Sequence, residues 1–275
     1  MRFLYTLFTL AMGGAGLFYL AEKNPQLKEK AEEILNFRTT TAMEIRYGAD
    51  QIMEKEQRAL LREKGARFLD PELTFVPYLV LEVKYNDGRR TKEGVILWDL
   101  TDGEMVLDTK SWEKTHGFAD CILTGAHRGE VEIVTLLAKK GGSLDQKTIA
   151  DHLEIDLPMA ELLLSSCQKK NLILSTGSSR YRLHLENPKL TSTPETSIDI
   201  PLASKGYKRA SRAPSQYSIY QVKKIAQLAF GESFSIRKSS EIFLPVHRIC
   251  VQQGSGAIET TSYNALTGKR LPTLL

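Results

Sequence analysis

The chain has 275 residues, 42% hydrophobic and 25% charged, with 37 Lys and Arg against 33 Asp and Glu for a formal net charge of +4. These values exclude collagen-like, wholly disordered and polytopic membrane architectures, and the length suits about two domains, each with its own core. Three cysteines (Cys121, Cys167 and Cys250) are too few and too scattered for a disulfide framework, and the odd count favours a reducing compartment.

From Phe3 to Ala21 the chain reads FLYTLFTLAMGGAGLFYLA, without a charge. That run is close to the ~20 residues a helix needs to cross the hydrocarbon core, so residues 1–21 are predicted to be a single-pass anchor. The competing reading is a cleaved signal peptide, with Phe3–Leu10 as its apolar region and Ala11-x-Gly13 as its cleavage site. It would be unusually short and would leave Gly16–Ala21 exposed. Lys23, Lys28 and Lys30 outnumber Arg2 across the anchor, which leans towards a cytoplasmic body.

Residues 22–65 follow as membrane-proximal helices. Pro25–Leu35 is charged and helical, and Thr39–Gly65 carries Ala42, Ile45, Ala49, Ile52, Leu60 and Leu61, mostly three or four apart. This spacing predicts an amphipathic helix with a Thr cap; Thr41–Tyr47 also has strand character. An α+β unit is predicted over 66–128. Its strands are Thr74–Tyr85 and Gly94–Leu100, separated by the turn Asn86-Asp87-Gly88, and Asp102-Gly103 turns into Glu104–Leu107.

The last part, 217–275, repeats this grammar: helix Ser218–Phe230, strand Phe243–Gln252, turn Gly254-Ser255-Gly256, strand Ala257–Tyr263, then NALTG. Pro77 falls on Pro245, Val83 on Val251, Gly88 on Gly256, Asp99 on Asn264 and Gly103 on Gly268. With its closing NALTG, the C-terminal copy resembles a PepSY-type unit, a small helix-plus-antiparallel-sheet module. The resemblance covers about 60 residues and implies a binding or inhibitory module, often extracytoplasmic, rather than an active site. Any helix-plus-hairpin unit would share the same outline.

Between the copies, residues 129–186 predict three helices and a two-stranded wing. Val131–Leu137 lies in the first helix, which ends at Gly141-Gly142. Leu144–Leu153 forms the second, and Met159–Lys170 the third, with Leu162, Leu163 and Cys167 inward. Asn171–Leu174 and Arg180–Leu185 flank the turn Thr176–Ser179. With LDQKTIADHLEI as the helix-turn-helix lead-in, this segment resembles a winged-helix domain. A winged helix that reads DNA would present base-reading side chains at Asp156, Pro158, Met159, Ala160 and Glu161, and none of these is Arg, Lys, Asn or Gln. Eight acids against seven Lys and Arg leave the segment at −1, with little counterion release to gain.

Residues 187–216, rich in Pro, Ser and Thr, are predicted to be a linker with a basic stretch. Arg180 and Arg182 beside the wing, and Lys205, Lys208, Arg209 and Arg212 in the linker, are the candidates for an anionic surface or nucleic acid. A solvated loop running into a helix with an ordinary polar face is the favoured explanation of the linker cations. The best enzyme candidate pairs Cys121 with His116, but closeness in sequence does not bring a thiolate to its base. His116, Cys121 and His127 lack a recognised metal-ligand spacing, and no cofactor motif is found. The fold class read from these patterns is α+β: anchor, helix-plus-hairpin unit, winged helix, second helix-plus-hairpin unit. The reading this favours is a membrane-anchored, non-catalytic protein that binds protein partners, with a membrane-tethered DNA-binding regulator as the alternative and a Cys/His enzyme third. Oligomeric state is not specified. The net charge hides a split: residues 189–275 hold 12 Lys and Arg against 5 acids, and residues 1–188 hold 25 against 28.

Overall fold

The computed structural model describes residues 40–271, except 89, 178 and 208–210. The expected anchor lies outside this range; among the described residues no helix is long and apolar enough to cross a membrane. The class is α+β, with strands gathered into a nine-stranded and a three-stranded sheet. The first strand, β1 (Thr40–Met43), begins within a run of three threonines, whose β-branched side chains suit a strand. Helix α1 (Ala49–Leu60) therefore starts later than the predicted Thr cap, at Gly48, whose N–H is bonded by Gln51 Oε1 at 3.1 Å.

β2 (Arg67–Phe68) leads into β3 (Glu72–Asn86), which turns into β4 (Thr91–Asp99), then β5 (Met105–Asp108) and β6 (Glu113–Lys114). The C-terminal copy supplies α6 (Ile219–Phe230), β11 (Ser235–Gln252) and β12 (Ile258–Asn264). β11 begins eight residues before the expected Phe243, because the polar stretch Lys238–Ser240 pairs with β3 all the same, past a bulge at Arg237. The two hairpins, read from sequence as separate units, are joined at the centre of one sheet by antiparallel pairing of β3 with β11.

That pairing is reciprocal. Val76 faces Leu244, Phe75 faces Pro245 and Pro77 faces Phe243, so the repeat is related to itself by a local two-fold axis at Val76 and Leu244. The same bonds recur in both halves. Leu100 N–H donates to Pro77 O at 3.0 Å, and Ala265 N–H to Pro245 O at 3.0 Å. Gly103 N–H closes on Asp99 O at 3.1 Å, and Gly268 N–H on Asn264 O at 2.8 Å. Phe68 pairs with Val251 as Ile236 pairs with Val83, and the parallel bridge Ala42–Phe243 is matched by Phe75–Arg212.

The helices are exchanged across this axis. α1 precedes the first hairpin, yet Ile52 packs with Ile249 and Tyr263 of the second. α6 precedes the second hairpin, yet Val222, Ile225 and Ala226 share a core with Leu79, Leu81 and Trp98 of the first. A lone hairpin and helix cannot exclude water from both sides, and exchange makes each hairpin's cover depend on the other copy's helix. Each fully buried Leu or Ile there contributes roughly 1.5–3 kcal/mol of transfer free energy.

The opposite face carries Val76, Tyr78, Leu97, Val106, Leu244 and Val246. It is covered by the segment read as a linker. Thr196 is buried and donates to Val106 O at 2.6 Å while accepting from Leu97 N–H at 2.9 Å. β10 (Ser204–Tyr207) then pairs with β1. Hydroxyl bonds, strand pairing and the irregularly spaced Ile200, Leu202 and Ala213 hold this stretch, which explains why it shows no hydrophobic period.

The region 129–186 is built from α3 (Arg128–Lys140), β7 (Ser143–Asp145), α4 (Gln146–Leu153), α5 (Leu157–Lys169), β8 (Ile173–Gly177) and β9 (Arg180–Leu183). Its strands run in the order β7-β9-β8. Val131, Ile133, Leu164 and Cys167 join the same core as Leu79 and Trp98, through α2 (Phe118–Leu123) and α6.

Candidate functional site

The most exposed apolar group in this region is the start of α5. Asp156 caps the helix, its Oδ1 accepting from Met159 N–H at 2.9 Å, and Pro158 sets the first turn. α4 ends just before it at Glu154, whose left-handed φ of 53° reverses the chain. The inward side of α5 is Ala160, Leu164 and Cys167. Leu162, expected inward, is instead 66% exposed, because it lies across the helix from Ala160 and Leu164. Leu157 and Met159 are 50% and 48% exposed. The outward face is thus Leu157, Pro158, Met159 and Leu162. Asp151, Glu154, Asp156 and Glu161 are exposed around it, and no Lys or Arg occurs from Thr148 to Gln168.

The candidate cations are divided between the two sheets. Arg180 is drawn back onto β7, donating from Nη2 to Ser143 O at 2.7 Å and from Nε to Ser143 Oγ at 3.1 Å. Arg182 donates to Leu183 O at 3.1 Å. Lys205 is exposed on β10, and Arg212 lies 4.9 Å over the Phe243 ring. Lys208 and Arg209 lie outside the described residues.

Cys121 and His116 are not brought together by a hydrogen bond among the described residues. His116 is exposed, with Nδ1 3.2 Å from Asn187 O. Cys121 is buried in α2, where burial first and the nearby Asp120 second push its thiol up to about 12. Burial of this kind opposes formation of the thiolate, the form that acts as nucleophile or metal ligand. Among the described residues no three His, Cys, Asp or Glu side chains converge as a metal site.

Two buried ionic groups have structural roles. Glu104 is 6% exposed and accepts from Gly117 N–H at 2.7 Å, Phe118 N–H at 3.3 Å, Ala119 N–H at 3.0 Å and Thr115 Oγ1 at 2.6 Å. It caps α2; burial raises its pKa and these four donors oppose the rise. Asp99 is fully buried and meets Lys114 Nζ at 2.5 Å, while Asp102 meets the same nitrogen at 2.7 Å. Burial works against the Lys114 charge, but Tyr78, Asp99 and Asp102 outweigh it and hold the ammonium well above its usual range. A cavity of about 470 Å³ lies beside these elements, lined by Leu123, Val134, Leu183, Leu185 and Leu190, with Lys170 at its wall. That ammonium is already engaged by Glu130 at 2.6 Å and by Gly125 O at 3.1 Å.

The chain matches no protein-family model, no curated protein and no solved structure.

Proposed function

We propose that this chain is a single-pass membrane-anchored, non-catalytic interaction protein. In this reading residues 129–186 form a winged-helix domain that binds a protein partner, flanked by α+β modules of PepSY-like design. The order helix, strand, helix, helix, strand, strand and the sheet order β7-β9-β8 support the winged-helix assignment. The observation that carries the function is the outward face of α5. In a DNA-reading winged helix this helix meets base edges and needs Arg, Lys, Asn or Gln there. Leu157, Pro158, Met159 and Leu162 occupy it instead, with carboxylates around them. A phosphate backbone would be repelled, whereas a protein surface can cover these apolar groups.

The anchor rests on the uncharged run Phe3–Ala21. A reporter fused to the C terminus, active on one side of the membrane only, gives the orientation, and a cytoplasmic body is expected. Purified full-length chain titrated with duplex DNA at low and high salt should show no binding at either. Salt-sensitive DNA binding would favour the membrane-tethered regulator instead.

A further inference from the structure

Resting on that reading, we propose that the outward face of α5 takes a basic amphipathic segment of the partner: an apolar stripe flanked by Lys or Arg. Charge complementarity around an apolar centre selects this occupant. Leu157, Met159 and Leu162 offer side chains that water covers at a cost, and they lie within two turns of one helix. Asp151, Glu154, Asp156 and Glu161 are all exposed, four acids against the one exposed Lys147 beside Gln146, whose Nε2 donates to Leu157 O at 3.3 Å, and no Lys or Arg follows until Lys169. An apolar stripe on the partner matches the centre; its flanking cations match the rim.

The same arrangement selects against the other occupants. A second copy docking through this face would set one carboxylate rim against another. Anionic lipid headgroups would meet like charge as well, so the exposed leucines are poorly suited to insertion beside the anchor. The cations of α5 itself, Lys169 and the adjacent Lys170, lie at its far end, and Lys170 is committed to buried Glu130. The helix therefore presents an anionic, apolar start and a basic end.

The test uses the full-length chain in detergent micelles and a labelled synthetic helix of about 18 residues, leucines along one face and lysines beside them. The proposal expects saturable binding that weakens at least about tenfold in Leu162→Lys and again with rising salt. The same helix with glutamates for lysines should not bind. The double variant Glu154→Lys/Glu161→Lys should reverse the preference, binding the acidic helix over the basic one. Unchanged circular dichroism in each variant shows that the fold is kept. Binding that ignores Leu162→Lys, or the failure of the rim variant to switch, overturns the proposal. A benzophenone side chain at position 162, in chain reconstituted into anionic phosphatidylglycerol vesicles, should crosslink the basic helix; crosslinking to lipid instead also overturns it. If the basic helix fails but the same probe reaches a protein in cells, the partner's chemistry is wrong and the interaction reading stands. If it reaches no protein there either, both fall.

Discussion

The ring of Tyr217 lies against Gly103, where a Cβ would come within 2.9 Å of its carbons. The local two-fold repeats the arrangement: Tyr47 lies against Gly268, again with a Cβ distance of 2.9 Å. The backbone follows suit, since Gln216 and Tyr217 N–H both donate to Leu100 O, and Arg46 and Tyr47 N–H both donate to Ala265 O. Both glycines have positive φ, 75° and 67°. Gly103→Ala and Gly268→Ala should each cost about 1–3 kcal/mol from backbone strain and overpacking together. Denaturant titration checks this. A double-mutant cycle with Tyr217→Ala should recover part of the Gly103→Ala loss and none of the Gly268→Ala loss.

The two turns, residues 99–103 and 264–268, close with the same backbone bonds but begin with Asp99 in one and Asn264 in the other, and that difference is an internal control. Asp99 and Asn264 both accept from the N–H two residues on, at 2.7 Å and 2.8 Å. Only Asp99 brings a buried charge, and Lys114 answers it. Lys114→Met should therefore destabilise the protein by about 3–5 kcal/mol, because Asp99 is left buried without a counter-ion. Adding Asp99→Asn, the side chain the second copy already uses, should restore much of the loss. Thermal or chemical unfolding of the three variants decides it; no recovery in the double variant would show that Lys114 acts mainly through other contacts.

Asp102 gives a pH dependence with a definite sign. Its side chain is 45% exposed, and burial of the rest, with Asp99 beside it, raises its pKa from the ordinary 3.8 to about 6. The folded state therefore takes up this proton at higher pH than the unfolded chain does. The contribution to stability grows as pH falls through about 6 towards 3.8, and it is absent at neutral pH and above. The stability of wild type minus that of Asp102→Asn should become more positive across that window. Exposure screens the charge, so the effect is small. A difference that falls with acidification would contradict the assignment.

The cysteines should separate by reactivity. Cys121 and Cys167 are buried, and burial pushes both thiols up to about 12. Cys250 is partly exposed beside Thr260, with Sγ 3.5 Å from Oγ1. Alkylation of the native protein at neutral pH should label Cys250 first, and Cys121 and Cys167 at rates set by unfolding. Cys121→Ser should leave binding unchanged. Fast labelling of Cys121 would reopen the case for a nucleophile.

The hairpins, their turns and the [Asp/Asn]-x-x-x-Gly closures were legible from alternation and turn chemistry, and Pro77 and Pro245 were enough to align the copies. The exchange of helices was not legible, since amphipathicity tells that α1 buries a face but not which hairpin receives it. The covering role of 187–216 is not legible because its apolar contacts, Ile200, Leu202 and Ala213, are irregularly spaced and Thr196 adds its hold through a hydroxyl. On α5 a run of three leucines obscured the direction of Leu162; the spacing Ala160, Leu164, Cys167 was the signal that would have turned it outward. Residue type alone marks the cation candidates, and it does not tell that Arg180 commits its guanidinium to Ser143.

The central claim is that the start of α5 meets protein and not nucleic acid. A benzophenone side chain at position 162 of the full-length chain, photolysed in living cells, reads this directly. The account predicts a crosslinked species that nuclease leaves intact, that protease destroys, and that Met159→Lys removes. A nuclease-sensitive species at that position would contradict it.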